Sequence, residues 1–318
     1  MLPCAAPITG TDVSSRRRSA VAAEANPADA RANGTPTAHL MMSAPDFFEV
    51  SYRINPWMEP DRWQVSAQRL GSDARGGWQR LKTTYEQLGS VVEVQLAVRG
   101  LPDMVFAANS ALVLDRRLLS ARFAFAERRG EEVHDRAFFE TLRARGLIDE
   151  IIDPPSGMFF EGAGDALWDA RRRVLWVGYG QRSSRGMDLV LGSIYAVRAE
   201  PLELVDPRFY HLDTCLCVLS GGETLYYPPA FSAEALARLR GRIEPTLLIE
   251  AGDDDAHHLA VNAVCLGRDL VMCHASARLR ATLTERGYLV HVVPLESFNR
   301  SGGAAYCLTL RLDLSTRS

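Results

Sequence analysis

Apolar residues recur along this chain at two spacings. Short runs such as "VVEVQLAV", "MVFAAN", "ALVLD", "RVLWVGYG", "LYYPPAF", "TLLIEA", "AVCLG", "DLVMCH" and "CLTLRLD" have the length and apolar content of strands. Between them, "GGWQRLKTTYEQLG", "DRAFFETLRARG", "SAEALARLRGRI" and "SARLRATLTERG" repeat apolar residues three and four positions apart, the mark of an amphipathic helix. The alternation continues from about His39 to the C-terminus without a long linker. It predicts α/β or α+β architecture in one domain, residues 37–318. Residues 1–36 break the pattern: Ala, Ser, Arg and Pro dominate and aromatic residues are absent, so this segment has little to bury and is predicted to be a disordered tail. No apolar stretch follows Arg16-Arg17-Arg18, so the tail does not read as a secretory signal and the cytoplasm is the default location.

Composition narrows the function. Of 318 residues, 47% are hydrophobic and 24% charged, as expected of a soluble globular protein. The net charge of -3 gives no electrostatic reason to expect a nucleic acid. Arginines are interleaved with acids, as in "RGEEVHDR", which reads as a solvated surface. No apolar run is long enough to span a membrane. The six cysteines form no CxxC pair and the histidines do not flank them at zinc-finger spacing, so most read as buried thiols in a reducing compartment.

One cysteine is placed differently. In "SGGAAYCLTLRLD", Cys307 follows two glycines and enters a run in which Leu308, Leu310 and Leu312 alternate with Cys307, Thr309 and Arg311. On a strand this puts the thiol on the polar face, as a reactive group presented to a cleft would be. Five other stretches carry candidate chemistry. "FFEGAGDALWD" sets Glu161 and Asp165 on a glycine turn, and "FYHLDTCLCVL" sets His211 and Asp213 on one strand face. "SYRINPWM" offers Asn55, and "PDMVFAANS" ends an apolar run in Asn109. "GYGQRSSRG" presents Arg182 on a glycine-flanked loop, as either a substrate contact or a solvated charge. A nucleophilic thiol needs a base or a cationic neighbour, and His211 is the best candidate. The three carboxylates would disfavour a thiolate unless the substrate is itself a cation. A planar guanidinium fits best, because carboxylates bind its fork of N–H donors bidentately.

"FFEVSYRINPWM", "PDMVFAANS", "FFEGAGDAL", "GYGQRSS", "FYHLDTCL", "NAVCLG" and "SGGAAYCLTLRL" occur in one order, and together they resemble the guanidino-group-modifying enzymes from about Leu40 to Leu312. The resemblance implies a pentein α/β-propeller of about five ββαβ-type units around a central site. It implies Cys307 as nucleophile, His211 as general acid/base, and Glu161 as the carboxylate supporting substrate and histidine. Asp213 and Asp165 would bind the guanidinium, although Ala163 lengthens the turn before Asp165 by one residue. The implied reaction runs through a covalent thiouronium-type intermediate on Cys307 and requires no metal or organic cofactor. "FAAN" and "INPWM" resemble arginine dihydrolases, which convert arginine to ornithine, ammonia and carbon dioxide, with Asn109 tied to the second hydrolysis and Asn55 near the substrate. Two alternatives remain from the same superfamily, a dimethylarginine dimethylaminohydrolase and an amidinotransferase. Rivals from other classes are a non-enzymatic binding protein, which would be favoured were Cys307 or His211 missing, and a zinc hydrolase on His257, His258 and a cysteine. "DDDAHHLAVN" reads better as an exposed acidic turn.

Overall fold

A helix is the shortest way to carry a chain from one strand to a parallel neighbour, and the amphipathic helices of this sequence all do that. The computed structural model describes residues 38–317, so the tail expected over 1–36 lies outside the described residues. The chain opens with β1 (His39–Ser43), crosses through α1 (Ala67–Gln87) and returns as β2 (Val91–Gln95), parallel to β1. The next unit adds a hairpin: β3 (Ala111–Leu114) turns through Asp115 and Arg116, both at positive φ, into antiparallel β4 (Arg117–Ser120). Then α2 (Glu131–Ala144) leads to β5 (Glu150–Ile152), parallel to β4.

The same ββαβ order recurs three times. It runs β6 (Ala166–Asp169), β7 (Val174–Tyr179), α3 (Met187–Tyr195), β8 (Arg198–Glu203); then β9 (Leu216–Val218), β10 (Thr224–Tyr226), α4 (Ala233–Arg242), β11 (Leu248–Glu250). The last is β12 (Val264–Leu266), β13 (Asp269–Met272), α5 (Ala277–Glu285), β14 (Leu289–Val292). The first sheet is completed from the far end of the chain, where β15 (Leu310–Arg311) pairs antiparallel with β1. Five three-stranded sheets result, as the pentein expectation requires. The inner strands are β15, β3, β6, β9 and β12, one at an edge of each sheet; β15 lies against β3, and β6 against β9.

Packing follows the periodicity. α1 buries Leu70, Ala74, Trp78, Leu81 and Tyr85, a stripe at three-to-four spacing, and each large apolar side chain so buried contributes about 1.5–3 kcal/mol. One apolar cluster joins Leu40, Met42, Leu225, Leu270 and Phe298; another joins Leu112, Leu119, Leu175 and Leu191.

One expected strand is absent and another is cut short. "MVFAAN" folds as consecutive 3-10 turns, Pro102–Val105 and Ala107–Ser110, because Pro102 cannot donate to a ladder and Arg128 reaches both the Asp103 carbonyl and Asn109 Oδ1. "CLTLRLD" contributes only Leu310–Arg311, and Cys307 sits in the turn before it, where Leu308 N donates to Ala304 O (3.2 Å) and Thr309 N to Tyr306 O (2.8 Å). α3, "MDLVLGSIY", is not among the expected helices, because its apolar run leaves no clear polar face.

Candidate active site

Each inner strand is entered through a tight turn, and all five turns carry a polar residue of the site. Asn109 precedes β3, Glu161 and Asp165 precede β6, His211 and Asp213 precede β9, Asn262 precedes β12, and Cys307 precedes β15. The turns are 3-10 at Ala107–Ser110, Gly162–Gly164 and Leu212–Thr214. That corrects the shared strand face expected for His211 and Asp213. Their side chains serve different partners because the backbone is extended at His211 and turns immediately after it.

His211 is fully buried, and its Nε2 lies 2.7 Å from Glu161 Oε2. Burial pushes the Glu161 carboxyl up, but the Arg182 charge and then the His211 hydrogen bond overcome it and hold it down at about 2. Glu161 therefore faces the imidazole as a carboxylate. The opposite ring nitrogen, Nδ1, is 3.4 Å from Asn109 Nδ2. Arg128 Nη1, which only donates, takes Asn109 Oδ1 at 2.8 Å, so the asparagine must turn its NH2 toward the histidine. Neutral His211 thus carries its proton on Nε2, facing Glu161, and leaves Nδ1 as acceptor. Gly164 makes room for this contact: a Cβ there would lie 2.4 Å from Asn109 Nδ2 and 3.3 Å from the His211 ring.

Arg182 is not a solvated charge. It is 5% exposed, donates to Glu161 Oε2 (3.3 Å) and Ile54 O (3.0 Å), and lies over the rings of Phe125 and Tyr210. The aromatic faces make burial of its charge tolerable. Asp165 and Asn55 are likewise engaged with protein. Asp165 accepts from Ser183 Oγ (2.7 Å) and Leu212 N (3.1 Å), which anchors the turn between His211 and Asp213; burial raises its carboxyl to about 6. Asn55 accepts from Trp57 N and donates to Ser301 O, which ties its loop to the glycines ahead of Cys307.

The thiol has two side-chain partners. Cys307 Sγ donates to Asp213 Oδ2 at 3.1 Å and accepts from Asn262 Nδ2 at 3.1 Å. Burial pushes the thiol well above its ordinary range, and Asp213 adds to this, as the acidic surroundings in the sequence suggested. Asp213 is itself raised to about 7 by burial, and its Oδ1 has no hydrogen-bond partner among the described residues. Asp103 repeats the pattern: Oδ2 accepts from Tyr52 Oη (2.9 Å), Oδ1 has no hydrogen-bond partner among the described residues, and burial raises its carboxyl. A buried, unpartnered carboxylate oxygen is costly, and a cation bearing N–H donors would satisfy it.

Sequence reasoning assigned no role to Asn262, Asp103 or Arg128. Asn262 and Asp103 lay inside quoted motifs, and Arg128 lay in an arginine-rich stretch indistinguishable from surface. The zinc alternative loses a proposed ligand: His257 Nδ1 lies 2.8 Å from Asp253 O and its Nε2 2.7 Å from Arg208 Nη1. His258 instead stacks on His274 beside Asp254, on the surface.

No family model matches the chain. It is 34% identical over 276 residues to the N(G),N(G)-dimethylarginine dimethylaminohydrolase of Mycobacterium tuberculosis, covering 87% of this chain and 86% of that protein. The chain belongs to the guanidino-group-modifying enzymes of the pentein superfamily. Identity rises to 41% over 273 residues with the bifunctional arginine dihydrolase/ornithine cyclodeaminase ArgZ of Synechocystis sp., covering 86% of this chain. This pentein chain spans about 37% of the length of that relative. Among solved structures, the N-terminal domain of ArgZ, an arginine dihydrolase captured as a cysteine-to-serine variant bound to substrate, superposes with a TM-score of 0.79 at 38% identity. The match covers 88% of this chain and 99% of that one.

Proposed function

We propose that this protein is a cysteine-dependent hydrolase acting on the C–N bonds of a guanidino substrate, and that it takes arginine to ornithine, ammonia and carbon dioxide. The observation that carries the reading is Asp213: one carboxylate oxygen contacts the Cys307 sulfur and the other is buried without a hydrogen-bond partner among the described residues. A guanidinium held there sits against the nucleophile and offsets the charge that otherwise suppresses the thiolate. The sulfur attacks the guanidino carbon, His211 protonates the departing amine, and a thiouronium-type intermediate remains. The same histidine then activates a water that releases the sulfur and leaves a ureido product. A second water takes the ureido group to ornithine, carbon dioxide and a second ammonia. Asn109 supports this second step. It is neutral, and Arg128 holds its carbonyl so that the NH2 faces the histidine, a setting that accepts an uncharged ureido group where an aspartate would demand a cation. Asp213 and Asp103 are the proposed cation grips. Asp165, Asn55 and Arg182 hold the turns in place, and no metal or organic cofactor has a part. The cysteines among the described residues are all free thiols, which supports the cytoplasm as location; no helix among those residues is long and apolar enough to cross a membrane.

Dimethylarginine hydrolysis is the second reading, favoured by the relative of that name whose length this chain largely covers. Incubating the protein with arginine and, separately, with asymmetric dimethylarginine, and resolving products by mass spectrometry, decides between them. Ornithine from arginine is expected, abolished by Cys307→Ala and by His211→Ala. Citrulline and dimethylamine from the methylated substrate, without ornithine from arginine, would replace the first reading with the second. Transfer of the amidino group to an added amine would show an amidinotransferase.

A further inference from the structure

We infer that Asn262 is a further catalytic residue of this site, the donor that holds the Cys307 sulfur as an anion, contributed by the one unit to which the sequence assigned nothing. The inference rests on Cys307 being the nucleophile. Asn262 is fully buried and saturated: its Oδ1 accepts from both Ala304 N and Cys307 N, each at 3.1 Å. Backbone N–H groups only donate, so the amide orientation is settled and the NH2 must face the other way. There Nδ2 donates to Asp213 O (3.1 Å) and to Cys307 Sγ (3.1 Å).

A brace between the two turns would need the oxygen side of this amide and the N–H that reaches Asp213 O, but not the second N–H. That second N–H lies against the reacting atom, opposite Asp213 Oδ2, which favours the protonated thiol. Asp213 and Asn262 therefore act on one sulfur with opposite sign, and when a cation engages Asp213 the amide N–H is left holding the thiolate.

The test needs no substrate, so it fails or succeeds separately from the choice between arginine and its methylated form. Asn262→Asp keeps the size and the oxygen for both backbone amides and removes the NH2. The rate of iodoacetamide alkylation at Cys307, which forms an S–C bond and releases iodide and the thiol proton, is followed against pH by mass spectrometry of the Cys307 peptide. The midpoint should rise by about one unit and the rate at fixed pH fall at least about tenfold, the effect of losing one hydrogen bond to an ion, while thermal melting stays close to wild type. Because aspartate also adds charge, the wild-type Asn262 side-chain amide is followed by 15N NMR over the same pH range. Its resonances should move with the alkylation midpoint and stay still in Cys307→Ala. Unmoved amide resonances beside a normally alkylating Cys307 would overturn the inference even if the variant failed to fold. A wild-type Cys307 that never alkylates would remove the nucleophile reading with it.

Discussion

Asp213→Asn should separate what this site does for chemistry from what it costs the fold. The carboxyl is buried, its ordinary value near 3.8 is raised to about 7, and one oxygen has no hydrogen-bond partner among the described residues. Since the folded protein holds the proton more tightly than the unfolded chain, stability falls as pH rises from about 4 through about 7. Those two values put the cost of the aspartate at about 4 kcal/mol at pH 8 and about 2 kcal/mol at pH 5, at roughly 1.4 kcal/mol per pKa unit. Asparagine has the same shape and no charge to desolvate. The ligand-free variant should therefore be more stable than wild type at pH 8, with about half of the gain gone at pH 5. Activity should move the other way: hydrogen bonds to an ion contribute about 1.5–3 kcal/mol, so kcat/KM on a guanidino substrate should fall about tenfold to a hundredfold. Urea denaturation at both pH values, with steady-state kinetics at the higher one, measures both effects. A variant less stable than wild type at pH 8, with no gain as pH rises, would refute the reasoning. It would show that the Asp213 charge is compensated within the free protein.

Three further outcomes follow from neighbouring contacts. Glu161→Gln removes the anion shared by His211 and Arg182; breaking such a buried pair costs about 3–5 kcal/mol, so a lower denaturation midpoint and a loss of kcat are expected, and a stable, fully active variant would contradict the coupling. Gly164→Ala puts a methyl 2.4 Å from Asn109 Nδ2, and the crowding should cost about 1–3 kcal/mol and lower kcat by turning Asn109 off His211, an unchanged kcat being the contrary result. A cation binds the ionised form of Asp213, so in Cys307→Ala protein the calorimetric affinity for an unreactive alkylguanidine should weaken below pH of about 7, approaching tenfold per unit. An affinity independent of pH would place the cation elsewhere.

Much of this protein is decided along the chain. Apolar spacing sets the strands and four of the five long helices, because period two and period 3.6 are local properties that burial then selects. The thiol at Cys307, the carboxylates around it and the inference to a cationic substrate needed only residue types and their chemistry, and the ordered motifs supplied the superfamily. What only the tertiary structure decided is how five turns meet. Asn109, Glu161, His211, Asn262 and Cys307 lie on five different units whose likeness is one of backbone path, not of sequence, so no periodicity announces that each stands before an inner strand. Strand reasoning also misplaced the turns themselves. Asn109 and Cys307 leave the strand pattern because their surroundings supply hydrogen bonds a ladder would not, from Arg128 in one case and Asn262 in the other. Arg182 looked like a surface charge because a sequence cannot show Phe125 and Tyr210 closing over it. Partners are a property of packing: the chain supplies the groups that can react, and the fold determines which oxygen, nitrogen or sulfur each one faces.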